Sequence, residues 1–294
     1  MLDLCVSVIE DQVTQYFESQ RKEALAESTK KMYRGVARSK LIPFCKLKGI
    51  MRLDESFSDY MEDYAQYIRD SGATAQTTLE YLTVTQQFLT FHGYNIKHNY
   101  RIPRADKQAW DLKQEQRWFS EYDVAMCRTY VFRFQHTRNH LLVRLFSETG
   151  ARLNEIANIR LKDINFSTRN LLLHHSKTIP RSVSLNAETL IYMKRHIEKA
   201  FPGHDPNSPA FIFPQSNQIY KIIIEMLQDL KLKKKDDGRG PHTFRHYVAT
   251  YMRYILRLDL DYVSKILGDS NDMVTTRYIH PTPEMLNNLV GRAL

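Results

Sequence analysis

Four segments in the second half of the chain gather side chains suited to an anionic substrate. They are TGARLNEI (Thr149 to Ile156), HHSKTIPRSVSL (His174 to Leu185), HTFRHYVAT (His242 to Thr250) and LGDSNDMVTTRYIH (Leu267 to His280). The planar fork of an arginine matches two oxygens of a phosphate at once. Losing one such preorganised donor costs on the order of 100- to 1000-fold in rate. A phenol with its ordinary pKa of about 10 is only about 0.1% ionised at neutral pH. A nucleophilic tyrosine therefore needs a positive pocket or a neighbouring base. Taken singly, each residue has a blander reading. The chain holds 17 tyrosines, most arginines serve surfaces or salt bridges, and turns commonly carry lysine. No carboxylate cluster of the two-metal kind accompanies the segments. Cys5, Cys45 and Cys127 are too scattered for a disulfide framework or a paired-ligand metal site, and read as buried thiols of a reducing compartment.

The elements that must position these side chains fall into two parts. A length of 294 residues suggests two domains, and 43% hydrophobic residues exclude a largely disordered chain. The longest unbroken apolar runs are only a few residues, such as Ile222 to Ile224, far below the roughly 20 residues of a membrane span. The first residues lack a basic segment and carry Asp3, Glu10 and Asp11, so no secretory signal is expected and the cytoplasm is the expected location. The net charge of +9 lies entirely in residues 113–294, with 27 basic against 18 acidic side chains, whereas residues 1–112 hold 15 of each. Within that neutral part, Ser28 to Arg52 contains eight basic residues and no acid: Lys30, Lys31, Arg34, Arg38, Lys40, Lys46, Lys48 and Arg52. Lys30, Arg34 and Arg38 form one helical stripe, with Met32, Tyr33 and Val36 available for the buried side. An acid-free stripe suits a polyanion, because each neutralised phosphate releases counterions.

Helical spacing marks Leu4 to Phe17, then a basic helix capped by Ser28 and ending near Gly49. Further helices run around Tyr60 to Ile68 and Leu79 to Leu89, making a small bundle. Tyr94 to Arg117 shows little periodicity and reads as a basic linker with Arg101, Arg104 and Lys107. Ser120 and Asp123 form a capping pair that opens the next helices. Ile164, Leu171 to Leu173, and Val183 with Leu185 suggest a small antiparallel sheet, after which the chain is helical again. The expected domains are 1–98, a linker 99–118, and 119–294.

In their order and spacing the four segments resemble the tyrosine recombinase (phage integrase) family, in particular its short Xer-like members, over essentially the whole chain. The resemblance implies a mainly α fold with a small antiparallel β-sheet. It pairs an N-terminal helical bundle (a SAM-like core-binding domain that clamps DNA) with a C-terminal tyrosine-recombinase catalytic domain. It makes Arg152 and Arg245 the grip on the scissile phosphate, Lys177 the hairpin lysine, His242 the histidine of the His-x-x-Arg motif and Tyr278 the nucleophile. Glu155 takes the supporting acidic position. The implied function is site-specific recombination through a covalent 3′-phosphotyrosine, with no metal and no cofactor. The implied partners are double-stranded DNA, three further copies of the chain on paired sites, and an accessory directionality factor. DNA contacts are expected from Lys30, Lys31, Arg34, Arg38, Arg101 and Arg104.

One position departs from the pattern. Where the family usually has His or Trp, nine residues before the nucleophile, this chain has Asp269. A carboxylate cannot donate to phosphate unless protonated, and its charge opposes the anionic transition state. Either Asp269 turns away to orient Arg245 or Lys265, or another donor fills the gap, or turnover is slow. The expectation is an active enzyme with attenuated turnover. A DNA-binding architectural factor and a relaxing enzyme without synapsis are the competing readings. After Pro281 and Pro283, the stripe Met285, Leu286, Leu289 and Val290 is expected to dock on a neighbouring protomer.

Overall fold

The computed structural model describes residues 2–19, 25–115, 118–134, 136–174, 180–235, 237–281 and 285; the side chains of 2–7, 112–115 and 134 fall outside that description. Lys177 and the apolar positions 286, 289 and 290 lie outside the described residues. By internal contacts the chain divides into two units, Met1–Asp111 and Leu112–Leu294.

In the first unit, α1 (Leu2–Glu18) is followed by the basic helix α2 (Glu27–Val36). This helix starts two residues before the position a Ser28 cap would set, with Ala26 at the cap, because the amides of Thr29 and Lys30 both bond the Ala26 carbonyl. It continues through a π-turn at Ala37–Leu41 into α3 (Ile42–Lys48). The widened turn accommodates Pro43, which has no N–H to give the helical ladder. Gly49 ends the run as expected, in the left-handed region at φ 67°. Val36 is buried and Tyr33 half-buried, but Met32 is 44% exposed. The packed stripe runs through Tyr33, Val36 and Ala37, and Met32 lies about 100° round the helix from its centre.

A 3-10 turn, Glu55–Tyr60, leads into α4 (Met61–Asp70), and α5 (Ala75–Phe91) completes the bundle, its first turn capped by Thr74 through the Thr77 amide at 3.1 Å. Aromatic rings fill the centre: Tyr16 meets Phe88 edge-on at 4.7 Å, and Phe44 meets Tyr64 at 4.9 Å. The buried amide of Gln12 exchanges two hydrogen bonds with the Leu53 backbone, 2.8 and 2.7 Å. That pairing satisfies polar groups which would otherwise be stranded in the core.

The segment expected to be an aperiodic linker carries a helix, α6 (Arg104–Glu115). Its apolar residues, Ala105, Ala109, Trp110 and Leu112, are few and mostly small, a weak stripe to announce a helix, and Asp106 pairs with Arg69 at 3.0 Å.

The second unit opens with α7 (Glu121–Phe134), where the Ser120 and Asp123 side chains cap each other's amides at 2.9 and 3.1 Å as expected. Helix α8 (Thr137–Thr149) runs through the core, with Leu141, Leu142, Val143, Leu145 and Phe146 all fully buried. It ends on Gly150 at φ 59°, where a Cβ would sit 2.7 Å from Leu267. Only glycine lets the chain turn there so close to its neighbour.

Next come the short helix α9 (Leu153–Ala157) and three antiparallel strands: β1 (Ile164–Asn165), β2 (Asn170–Leu173) and β3 (Arg181–Ser184). Their register pairs Ile164 with Leu171 and Leu171 with Val183. Helices α10 (Ala187–Ala200), α11 (Ser216–Asp229), α12 (Pro241–Tyr254), α13 (Leu260–Leu267) and α14 (Asp272–Thr276) follow. The architecture is mainly helical with one small antiparallel sheet. Cys45 and Cys127 are buried free thiols, and burial pushes both up to about 12. Among the described residues no helix is long and apolar enough to cross a membrane.

Candidate active site

Arg152 stands just before α9, in extended conformation, and Glu155 reaches back from the first turn to accept its amide at 2.8 Å. That capping contact fixes the backbone from which the arginine projects. The Arg152 guanidinium bonds Glu155 Oε1 at 3.0 Å and Asp269 Oδ1 at 2.6 Å. Arg245, on α12, is fully buried. Its Nη1 donates to the Gly150 carbonyl at 2.8 Å, and its Nη2 to the Leu267 carbonyl at 2.8 Å and to Asp269 Oδ1 at 2.7 Å. The two arginines singled out in the sequence thus share one carboxylate oxygen. Its partner oxygen, Oδ2, accepts from the Thr275 hydroxyl at 2.9 Å.

Asp269 therefore takes the first of its open alternatives and takes it twice over, orienting both Arg245 and Arg152. Lys265 is occupied elsewhere, with Asp261 at 2.6 Å. The Asp269 side chain has no exposed surface, so it lies behind the arginines.

Tyr278 follows α14 and is half-buried. Its ring sits over the Arg245 guanidinium at 4.9 Å and meets the His246 ring edge-on at 5.0 Å. Its backbone is held at both ends: its amide bonds the Thr275 carbonyl at 2.9 Å, and its carbonyl accepts from Thr250 Oγ1 at 3.3 Å. His246 thus packs directly on this tyrosine.

His242 lies one turn before Arg245 on α12, on the same face. It does not cap the helix, since Gly240 holds the cap position and bonds the Thr243 hydroxyl instead. The residue keeps part of its surface exposed. Even so, desolvation by surrounding protein, then the guanidiniums of Arg245 and Arg152, push its pKa below the ordinary histidine value, with Glu155 opposing.

Sequence reasoning missed a third guanidinium. Arg181, at the start of β3, bonds Glu155 Oε2 at 3.0 Å and the Ile266 carbonyl. Its aliphatic stem passes over Gly268, where a Cβ would come within 2.6 Å of Arg181 Cδ. A signal was present: strand alternation places Arg181 on the same face as the buried Val183, and a charge on an inward register needs a partner. Burial disfavours the Glu155 charge, but Arg181 and the amide and guanidinium of Arg152 outweigh it and hold the carboxyl below its ordinary range. Three guanidiniums against two carboxylates leave the cluster with net positive charge. The buried Nε atoms of Arg181 and Arg245 have no partner among the described residues. A cluster with that net charge favours an anion. Among the described residues, no group of three or more His, Cys, Asp or Glu side chains is placed to hold a metal ion.

In the first unit the basic stripe is less free than its sequence. Lys30 pairs with Glu27 at 2.8 Å and its side chain is 15% exposed. Lys40 donates to Ser71, and Lys48 pairs with Asp63. Lys31, Arg34 and Arg38 are exposed and line an open groove of about 590 Å³ with Glu27, Ser28 and Gly35. Arg34 also stacks on Phe17 at 4.7 Å. Arg101 and Arg104 are exposed.

Residues 124–285 match the sequence profile of the Phage integrase family. The chain belongs to this family. Among its curated relatives are tyrosine recombinase XerC of Lactobacillus delbrueckii, 27% identical over 51% of this chain and 52% of the relative. Another is XerD of Staphylococcus saprophyticus, 22% identical over 84% and 85%. The first of these matches spans about half the relative's length. The same phage-integrase architecture appears in solved structures. The Tn1549 transposon integrase in complex with circular intermediate DNA superposes with TM-score 0.68 at 15% identity, covering 97% of this chain and 99% of that one. The XerH recombinase bound to its difH substrate gives 0.63 at 17% identity, covering 98% and 92%.

Proposed function

We propose that this chain is a Xer-like site-specific DNA recombinase that cleaves and rejoins strands through a 3′-phosphotyrosine. The observation that carries the reading is the pair Arg152 and Arg245, yoked by one carboxylate, with the Tyr278 ring over the second of them. Charge develops on the non-bridging oxygens as phosphorus becomes five-coordinate, and the two guanidiniums meet it with fixed positive charge. The Tyr278 oxygen bonds to phosphorus as its proton passes to His242, the bond to the 5′-oxygen breaks, and Lys177 protonates that leaving oxygen. Attack by a 5′-hydroxyl of another strand reverses the step, so no nucleotide triphosphate is consumed. In this reading residues 1–98 clamp duplex DNA, 99–118 connect, and 119–294 carry the chemistry. Four copies assemble on paired sites at the cytoplasmic nucleoid, with an accessory factor setting direction. The DNA held by the XerH and Tn1549 integrase structures supports the choice of partner.

The test is a duplex carrying a nick beside the cleavage site, which lets the cleaved end diffuse away and traps any covalent adduct on a denaturing gel. DNA binding without an adduct would leave only an architectural role. Strand exchange between two sites then separates a recombinase from a relaxing enzyme.

Two further results are expected. A histidine acting as base must be neutral, and its lowered pKa keeps it neutral as pH falls below about 6.5. The acid limb of single-turnover cleavage should accordingly lie below that value, and His242→Gln should remove the limb and slow the reaction. In the first unit, Arg38→Ala should reduce the slope of log affinity against log salt by about one. Lys30→Ala should change it less, because Glu27 already neutralises that ammonium. An unchanged slope for Arg38→Ala would argue against Arg38 as a phosphate contact.

A further inference from the structure

The yoke on the arginines has a second arm. Asp269 Oδ1 takes the two guanidiniums, while Oδ2 accepts from Thr275 Oγ1 at 2.9 Å. Thr275 is fully buried in the last turn of α14, and its own carbonyl accepts the Tyr278 amide at 2.9 Å. One continuous path therefore runs from the phosphate-gripping pair through a carboxylate and a hydroxyl to the backbone of the tyrosine. A second tether holds the far side of that turn: Thr250 Oγ1 bonds the Tyr278 carbonyl at 3.3 Å and receives the His280 amide at 3.0 Å. The helix between them is only five residues long, far too short to hold its shape alone. The position of Tyr278 over Arg245 thus depends on these side-chain ties.

We infer that Thr275 is a positioning residue for the nucleophile, and that Asp269 replaces a phosphate donor with a strut that locks nucleophile delivery to the arginine grip. The inference rests on the phosphotyrosine reading above. Neither side chain is free to bond the substrate, because every oxygen of the pair is already bonded within the protein. Their effect passes through Tyr278, Arg152 and Arg245. The chemistry is that of a charge-assisted hydrogen bond to a buried carboxylate, stronger than a bond between neutral groups.

The decisive variant is Thr275→Val, which keeps the branched shape and deletes the hydroxyl, compared with Thr275→Ser, which keeps the hydroxyl and deletes the methyl. On the nicked duplex, the valine variant is expected to form the covalent adduct roughly tenfold to a hundredfold more slowly than the parent protein. The serine variant should stay near the parent rate, and affinity for the duplex should be unchanged in both. Because the arm acts through Asp269, adding Thr275→Val to Asp269→Ala should slow cleavage no further. Equal rates for the valine variant and the parent would overturn the inference, as would a serine variant as slow as valine, since then shape alone matters. Failure of the parent protein to form any adduct would instead defeat the phosphotyrosine reading itself, so the two failures are distinguishable.

Discussion

Tyr278→Phe is expected to abolish the covalent protein–DNA adduct completely while leaving duplex binding and folding intact. The expectation is sharp because the substitution removes one oxygen and little else. The phenyl ring retains the face that covers the Arg245 guanidinium at 4.9 Å and the edge contact with His246 at 5.0 Å. Both tethers of the turn are backbone bonds of residue 278, which phenylalanine preserves. The Tyr278 hydroxyl makes no hydrogen bond among the described residues, so its loss strands no partner. The measurement is single-turnover trapping on the nicked duplex, with binding measured in parallel. Any adduct at parent yield would mean that another side chain attacks the phosphate, and the assignment of the nucleophile would fall.

The second large effect is at Arg245, where rate and stability can be separated by two substitutions. In Arg245→Lys a positive charge remains beside Asp269, but one ammonium cannot reproduce the planar fork that bonds Gly150, Leu267 and Asp269 together. Cleavage is expected to fall on the order of 100- to 1000-fold. Arg245→Ala goes further, leaving two buried carbonyls without donors and Asp269 with one arginine fewer. Removing one member of a buried ion pair typically destabilises by about 3–5 kcal/mol, which urea unfolding would detect. A lysine variant that folds normally and cleaves at the parent rate would show that Arg245 is a structural residue alone.

Much of this site was legible in the sequence because the segments that carry it are short and locally patterned. The helix that presents His242 and Arg245 places them one turn apart by geometry alone. The Ser120–Asp123 cap, the Gly49 stop and the alternation of the three strands also follow from neighbours in the chain. What failed to show were features with no local period. The helix Arg104–Glu115 is mostly polar, and its few apolar residues, two of them alanines, give periodicity little to detect. The basic block looked free of acids, yet Glu27 and Asp63, both outside it in sequence, neutralise two of its lysines. Arg181 sat in plain view in a strand, and only its inward register hinted that it belonged to the site.

The order of residues determined the side-chain inventory of the site and the elements that bear it, since these depend on spacing over a few residues. The role of Asp269 was decided by tertiary structure alone. Its carboxylate bridges Arg152 and Arg245, 117 and 24 positions away in the chain, and a buried charge is stable only where such partners converge on it. Seen in sequence, that aspartate is a negative charge in a phosphate site; in the fold it is the joint that holds two arginines and a tyrosine in one geometry.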